Sequence, residues 1–418
     1  MTRTILTGIL CVMSLGMTAQ NKISLGADIS MLPEYERVNT PYYDNSGAKI
    51  DALTYMKDNA KMNSMRVRLF VSPTERGTSK TGVCQDLEYV KTLGKRIKDA
   101  GMDFLLDFHY SDSWADPSFQ EIPDSWRPSS LTLQEIVYSY TKESLEALVS
   151  AGATPDFVQI GNEVSYGMLW GSDNDKCYTS QSAESTQWQR FYTLLSAASR
   201  AVREVTPNAK IIIHTERSGE ANTSKEFYSR LNAHNVDYDI IGLSYYPFYH
   251  NSLSYLSSTL SSLETALPGK EVHIVETAYF YQYFATDAKY NTQATWAATP
   301  TGQSAFISDL ITELGKHSNV TGLYYWFPEE NGNGGATWSA SNVVITSWLN
   351  RGLWDNSSHK ALPALLKLQD FLTSKEALSI DDIRKDERHK GIYSITGQKL
   401  DEEPSKGLFI KDGNKMVR

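Results

Sequence analysis

Eight short runs of apolar and β-branched residues recur along the chain, each followed by a longer stretch of helical periodicity, and this alternation restricts the folds open to it. The runs are 23–30 (ISLGADIS), 64–70 (SMRVRLF), 103–110 (DFLLDFHY), 157–163 (FVQIGNE), 209–216 (AKIIIHTE), 239–245 (DIIGLSY), 271–279 (EVHIVETAY) and 320–327 (VTGLYYWF). Helical patterns fill 48–61, 85–100, 131–150, 185–204, 224–235, 252–267, 302–317 and 359–373. Short β-branched runs read as buried strands and the 3.6-residue repeats as covering helices. Gly101, Gly152, Pro207 and Pro268 mark helix ends, and Ser130 is placed to cap the segment from Leu131. Eight such pairs in roughly 350 residues predict an α/β fold, a closed (β/α)8 TIM barrel. An open doubly wound sheet is the alternative, but no strand here leads into a glycine-rich phosphate turn.

The two ends of the chain have a different character. Arg3 precedes an apolar run from Ile5 to Met17 and then the small-residue stretch Met17–Gln20. This predicts a secretory signal peptide at 1–19, with a run too short to cross a bilayer. No later stretch could span one. The barrel is expected over 20–377. From about Leu378 a charged stretch leads into GIYSITGQKL and KGLFIKDGNKMVR, two alternating pieces with hairpin-like turns. Residues 378–418 are therefore expected to form a small C-terminal β extension or a flexible tail. They resemble the small C-terminal extensions of some exported bacterial proteins.

Charge and cysteine content exclude several partners. A net charge of −9 without clustered Lys and Arg argues against nucleic acid. Past the signal segment only Cys84 and Cys177 remain, which export would allow to pair but which make no disulfide framework. The eight histidines are scattered, with no HExxH pair and no zinc spacing, so no metal or other cofactor is expected to be required. The nine Trp and 24 Tyr, many beside Asp, Asn, Gly or His, suit stacking on sugar rings as well as ordinary packing.

In a barrel of this kind chemistry gathers where strands end and loops begin. Glu163 ends the fourth run and Glu276 lies near the end of the seventh, so the two can face each other across the mouth. A protonated carboxyl and an ionised one at fixed separation are the minimum equipment for cleaving a glycosidic bond. Asn162 is placed to bond a sugar 2-hydroxyl. Arg66 and Arg68 share one face of the second strand, and one or both can hold Glu276 ionised. Tyr245 is a candidate hydrogen-bond donor to Glu276, Trp326 a candidate floor for the sugar, and His214 a candidate ligand contact. The long connections Tyr110–Ser130 and Pro328–Ser358 are the expected groove-shaping loops, and 280–301 is a possible extension of the groove.

The segments GADIS (26–30), NSMRVRLF (63–70), LLDFHYSDSWADPSFQEIP (105–123), VQIGNEVSYGMLW (158–170), LSYYPF (243–248), HIVETAY (273–279), GLYYWFP (322–328) and GLWD (352–355) resemble the arabinogalactan endo-β-1,4-galactanases of glycoside hydrolase family 53. HYSDSWADP is the most specific of them, and the resemblance covers about residues 23–373. It implies endo-acting, retaining cleavage of β-1,4-galactan, with Glu163 as acid/base and Glu276 as nucleophile. It also implies sugar contacts or loop scaffolding for His109, Trp114 and Asp116, and favours Arg66 over Arg68. Some relatives carry a structural calcium in the last long loops, and 329–342 offers oxygen ligands without the dense Asp pattern of a calcium site. The enzyme is expected to be secreted and monomeric, its final location among periplasm, cell surface and medium left open. Barrel glycosidases acting on xylan, mannan or cellulose share the glutamate pair but not HYSDSWADP. A sugar-binding barrel without activity would be expected to lack one carboxylate. A phosphate-using barrel would want a glycine-rich seat after the seventh or eighth strand.

Overall fold

Residues two apart on a strand share a face, so the inward side chains of a barrel can be read along each strand in turn. In the computed structural model, which describes residues 22–73, 82–284, 288–332, 350–375, 392–394, 399–400, 402–411 and 414–417, eight parallel strands pair in chain order and the first closes on the last. They are β1 (Ser24–Asp28), β2 (Ser64–Leu69), β3 (Asp103–Phe108), β4 (Phe157–Ile160), β5 (Lys210–Thr215), β6 (Ile240–Ser244), β7 (Glu271–Glu276) and β8 (Val320–Trp326). All eight expected strands are present. The signal segment at 1–19 lies outside the described residues.

The barrel interior is layered. Leu105, Phe157, Ile212, Ile240, Val275 and Tyr324 form a dry cluster inside it. One inward step further along, Leu105 gives way to Asp107, Phe157 to Gln159, Ile212 to His214 and Tyr324 to Trp326. The same strands therefore supply an apolar floor and a polar layer above it.

Helices α1 (Leu32–Arg37), α2 (Ala52–Asp58), α3 (Leu87–Asp99), α4 (Leu133–Ser150), α5 (Thr186–Val205), α6 (Ala221–Ala233), α7 (Pro247–His250), α8 (Leu253–Ala266), α9 (Pro300–Leu314) and α10 (Pro363–Lys367) accompany the strands. Helix α3 shows why they form where they do. Asp86 caps it by accepting from Tyr89 N, and Val90, Leu93, Gly94 and Ile97 fall on the buried face. Burying Leu93 and Ile97 contributes roughly 1.5–3 kcal/mol each, so a charge at either position would undo the packing. Helix α4 begins later than expected: Thr132, in a capping box with Glu135, replaces Ser130 as the cap. The two short helices α1 and α7 were not foreseen, and the pattern at 359–373 divides into α10 and a further helical stretch at 370–375.

In the tail, β9 (Ile392–Ser394), β10 (Lys399–Leu400), β11 (Leu408–Lys411) and β12 (Asn414–Val417) form an antiparallel sheet ordered β10–β9–β11–β12. Phe409 is buried within it. Cys84 and Cys177 are separate buried thiols, so the permitted disulfide is not formed. No described helix is long and apolar enough to cross a membrane.

Candidate active site

Strand β7 carries an irregularity that aims Glu276. Leu243 pairs with Ile274 but Ser244 pairs with Glu276, so Val275 is the extra residue of a bulge. Val275 joins the dry floor cluster, and Glu276 next to it also faces the site instead of the surrounding helices. Its Oε1 lies 2.9 Å from Arg66 Nη2, and its Oε2 accepts from Tyr246 OH at 2.8 Å. Burial pushes the Glu276 carboxyl above its ordinary range, while Arg66 and then Tyr246 pull against that rise.

Arg66 ties together four strand ends. Its Nη1 donates to Asp28 Oδ2 at 2.8 Å, and its Nη2 to Asp107 Oδ2 at 2.8 Å and Asn162 Oδ1 at 2.9 Å. Burial opposes its charge, and Asp107, Glu276 and Asp28 more than restore it. Asp107 is depressed below the usual carboxylate range: burial raises it, but Arg66 and His109 outweigh burial. Arg68, two residues on, faces the same way and donates to Asp28 Oδ1 at 2.8 Å. Its guanidinium carbon stands 4.6 Å from the ring centre of Trp114 and 5.7 Å from that of Trp326, which fixes the two indoles beside each other.

Glu163 is presented differently. Gly161 at φ +102° and Glu163 itself at φ +46° turn the chain sharply off β4. A left-handed backbone at a glutamate costs about 1–3 kcal/mol and persists only where the surroundings enforce it. Here Gln120 Nε2 donates to Asn162 O at 2.7 Å, and Val164 N donates to His214 O at 2.9 Å. Ser244 Oγ donates to Glu163 Oε1 at 2.6 Å and lies 2.8 Å from His214 Nε2. Among the described residues no cation is bonded to this carboxyl. Burial, then the charge of Glu276, then that of Glu216 push it well above the ordinary range, with Ser244 a smaller opposing influence. Of the two carboxyls, Glu163 is pushed further from its ordinary range.

Between them runs a groove of about 410 Å³ lined by residues from strand exits around the mouth. The connection after β3 forms one wall. His109 lies 3.2 Å from Asp107 through Nε2 and accepts from Ala115 N through Nδ1 at 3.0 Å, so it scaffolds this loop from the polar layer. Asp116 Oδ1 accepts from Ser118 N and Phe119 N, and burial raises its carboxyl. Among the described residues no three His, Cys, Asp or Glu side chains are placed to hold a metal. Of the stretch 329–342, whose oxygen ligands fall short of a calcium pattern, residues 333–342 lie outside the described residues. Glu329 is buried, accepts from Met31 N at 2.8 Å, and is pushed up to about 8, first by burial and then by Asp28.

A barrel with two strand-end glutamates over such a groove is a glycosidase arrangement, and comparison decides which. The model of glycosyl hydrolase family 53 matches residues 24–368. The chain belongs to that family. It is 31% identical over 341 residues to the endo-beta-1,4-galactanase of Bacillus subtilis (strain 168), covering 79% of this chain and 76% of that one. It is 32% identical over 383 residues to the arabinogalactan endo-beta-1,4-galactanase of Cellvibrio japonicus (strain Ueda107), covering 87% and 95%. Among solved structures, the Ignisphaera aggregans GH53 catalytic domain superposes with a TM-score of 0.71 at 32% identity, covering 83% of this chain and 95% of that one.

In this family 53 glycoside hydrolase the expected site residues divide into three groups. Glu163, Glu276, Asn162, His109, Trp114, Asp116 and Trp326 all line the groove. Arg66 and His214 do not reach it. Both are fully buried beneath it, Arg66 holding Glu276 and His214 holding Ser244 and Asn162. Burial, then Arg66, push the His214 imidazole well below its usual range, so it is neutral. Tyr245 is misplaced by one residue. Ser244 faces inward, so strand alternation turns Tyr245 outward: its OH donates to Asn251 O at 3.0 Å and its ring packs on Phe306. Tyr246 makes the bond to Glu276 instead. Of the aromatics of 280–301, Tyr281 and Trp296 are buried, and neither they nor Tyr283 or Tyr290 are among the residues lining this pocket. Sequence reasoning missed Asp107, Gln159, Ser244, Tyr246 and Glu216. Asp107, Gln159 and Ser244 fall on the inward phase of strands already recognised, and Tyr246 continues that phase one residue past the sixth run, which was the available signal.

Proposed function

We propose that this protein is a secreted, retaining endo-β-1,4-galactanase acting on galactan or arabinogalactan I. The observation that carries the reading is the contrast within the glutamate pair: among the described residues Glu276 is bonded by Arg66 and Tyr246, and Glu163 by a serine hydroxyl alone. The galactanase names of its relatives support the substrate.

Glu163 donates its proton to the glycosidic oxygen as the bond to the anomeric carbon breaks, and Glu276 attacks that carbon to form a glycosyl ester. Glu163, now ionised, takes a proton from water, whose oxygen displaces Glu276 with a second inversion. Direct attack needs the carboxyls about 5–5.5 Å apart. Both carboxyls line the same groove, and the charge of Glu276 raises Glu163. Proton and nucleophile both come from side chains, so the scheme calls for no cofactor.

Purified protein should release galacto-oligosaccharides from debranched potato galactan and nothing from arabinoxylan, mannan or carboxymethylcellulose. Proton NMR of the first product should show the β-anomer. Inactivity of folded protein on galactan would overturn the substrate, and an initial α-anomer would overturn retention.

A further inference from the structure

Glu163 at the exit of β4 and Glu276 at the exit of β7 divide the barrel mouth into two unequal parts. On one side stand β8, β1, β2 and β3, with Trp326, Arg68 and Trp114; on the other stand β5 and β6, with Glu216, Tyr249 and His250. The scheme above gives Glu216 no task. Its carboxylate is nonetheless held on both oxygens. Ser165 Oγ donates to Oε2, and Arg217 Nε lies 3.1 Å from Oε1. Arg217 is itself fixed by Glu220 and by the ring of Tyr166, 4.5 Å away. The turn Arg217–Gly219 is wedged against the β6 loop: Ser218 Oγ donates to Ser244 O at 2.5 Å, and a Cβ on Gly219 would stand 2.1 Å from His250 O. The side chain is 16% exposed where it meets the groove, and each oxygen keeps a lone pair beyond its internal partner.

We propose that Glu216 receives the sugar on the leaving-group side of the bond being cut, accepting hydrogen bonds from its hydroxyl groups; this rests on the glycosidase reading above. The sugar that becomes esterified to Glu276 must lie over that carboxylate, beside Trp326 on the adjoining strand. The departing sugar then falls across the Glu163–Glu276 line, in the β5–β6 part. In a β-1,4-linked galactan its 4-oxygen receives the proton of Glu163, which leaves the equatorial 2- and 3-hydroxyls as neighbouring donors. A carboxylate with a free lone pair on each oxygen matches such a pair. Its fixed orientation means that little freedom is lost on binding.

The test compares two substrates with wild-type and Glu216→Gln protein below the alkaline limb of the pH profile. With galactotetraose, kcat/KM should fall on the order of 10- to 100-fold, the usual effect of losing a charged hydrogen bond. With an aryl β-galactobioside, whose leaving group carries no sugar hydroxyls, it should change by less than about threefold. Added galactobiose should also compete less well with water for the glycosyl-enzyme of the variant. Equal losses on both substrates, or no loss on galactotetraose, overturn the role of Glu216 alone. If wild-type protein cleaves neither substrate, the glycosidase reading falls and this proposal with it. Ser165→Ala, which loosens the carboxylate without removing it, should show the same substrate pattern at smaller size and serves if Glu216→Gln does not fold.

Discussion

Around Glu276 the barrel assembles a buried guanidinium and a phenol, whereas around Glu163 it supplies only a serine hydroxyl backed by a neutral imidazole. Both carboxyls lose water and both resist ionisation as a result, but only one is compensated by a bonded cation. On the proposed mechanism, the difference is how one fold obtains an acid and a nucleophile from the same residue type. It does so by the company each keeps, with the first proton leaving Glu276 and its charge then helping to hold the second on Glu163.

The contrast can be broken most completely at Glu276. Glu276→Gln should lower kcat on galactan by on the order of 10⁴-fold or more, since no other carboxyl can form the ester. A residual rate within tenfold of wild type, measured by reducing-sugar release, would remove it from the reaction. Glu163→Gln should cost about 10²–10⁴-fold on galactan, the range for losing a general acid. It should cost far less in the first step with a dinitrophenyl galactobioside, which departs unprotonated; equal losses on both substrates would reverse the assignment. Arg66→Met should leave Asp28, Asp107 and Glu276 without the cation they share and destabilise the fold by about 3–5 kcal/mol. Urea denaturation checks this, and an unchanged midpoint would show that the guanidinium is not what holds the three carboxyls.

The smallest effects should sharpen the comparison through pH. In the proposed mechanism the working form has Glu276 ionised and Glu163 protonated, so the acid limb should report Glu276 and the alkaline limb Glu163. Tyr246 favours the ionised form of Glu276, and Tyr246→Phe should therefore move the acid limb upward. Ser244 favours the ionised form of Glu163, and Ser244→Ala should move the alkaline limb upward as well. Each should cost less than about tenfold at the optimum. Profiles of kcat/KM that move the same limb for both variants would mean that the two carboxyls do not titrate as assigned.

Periodicity made the eight strands legible, and with them the pairing of Glu163 with Glu276 across the mouth. It did not give the phase of each strand. The inward phase of β6 puts Ser244 and Tyr246 in the site and Tyr245 behind it. The bulge at Val275 turns Glu276 into the site by a change of register that no single-strand pattern displays. Arg66 and Arg68 were read as sharing a face, yet that both meet Asp28 depends on how β1 lies against β2. His214 has the look of a ligand contact because strand-end polar residues usually face a groove. Its depth below the groove is set by neighbouring strands. Glu216 ended a recognised strand, and nothing local to it revealed that Ser165 would reach it from the next loop.

A single guanidinium that grips Asp28, Asp107, Asn162 and Glu276 belongs to four strands at once. Roundness of the barrel mouth and readiness for chemistry are then one property. If warming or denaturant lets β1, β3, β4 or β7 drift by an ångström, the nucleophile is released from its partner before any strand has unzipped. Catalysis in this protein should consequently act as an early gauge of barrel closure, fading at temperatures where circular dichroism still reports an intact fold.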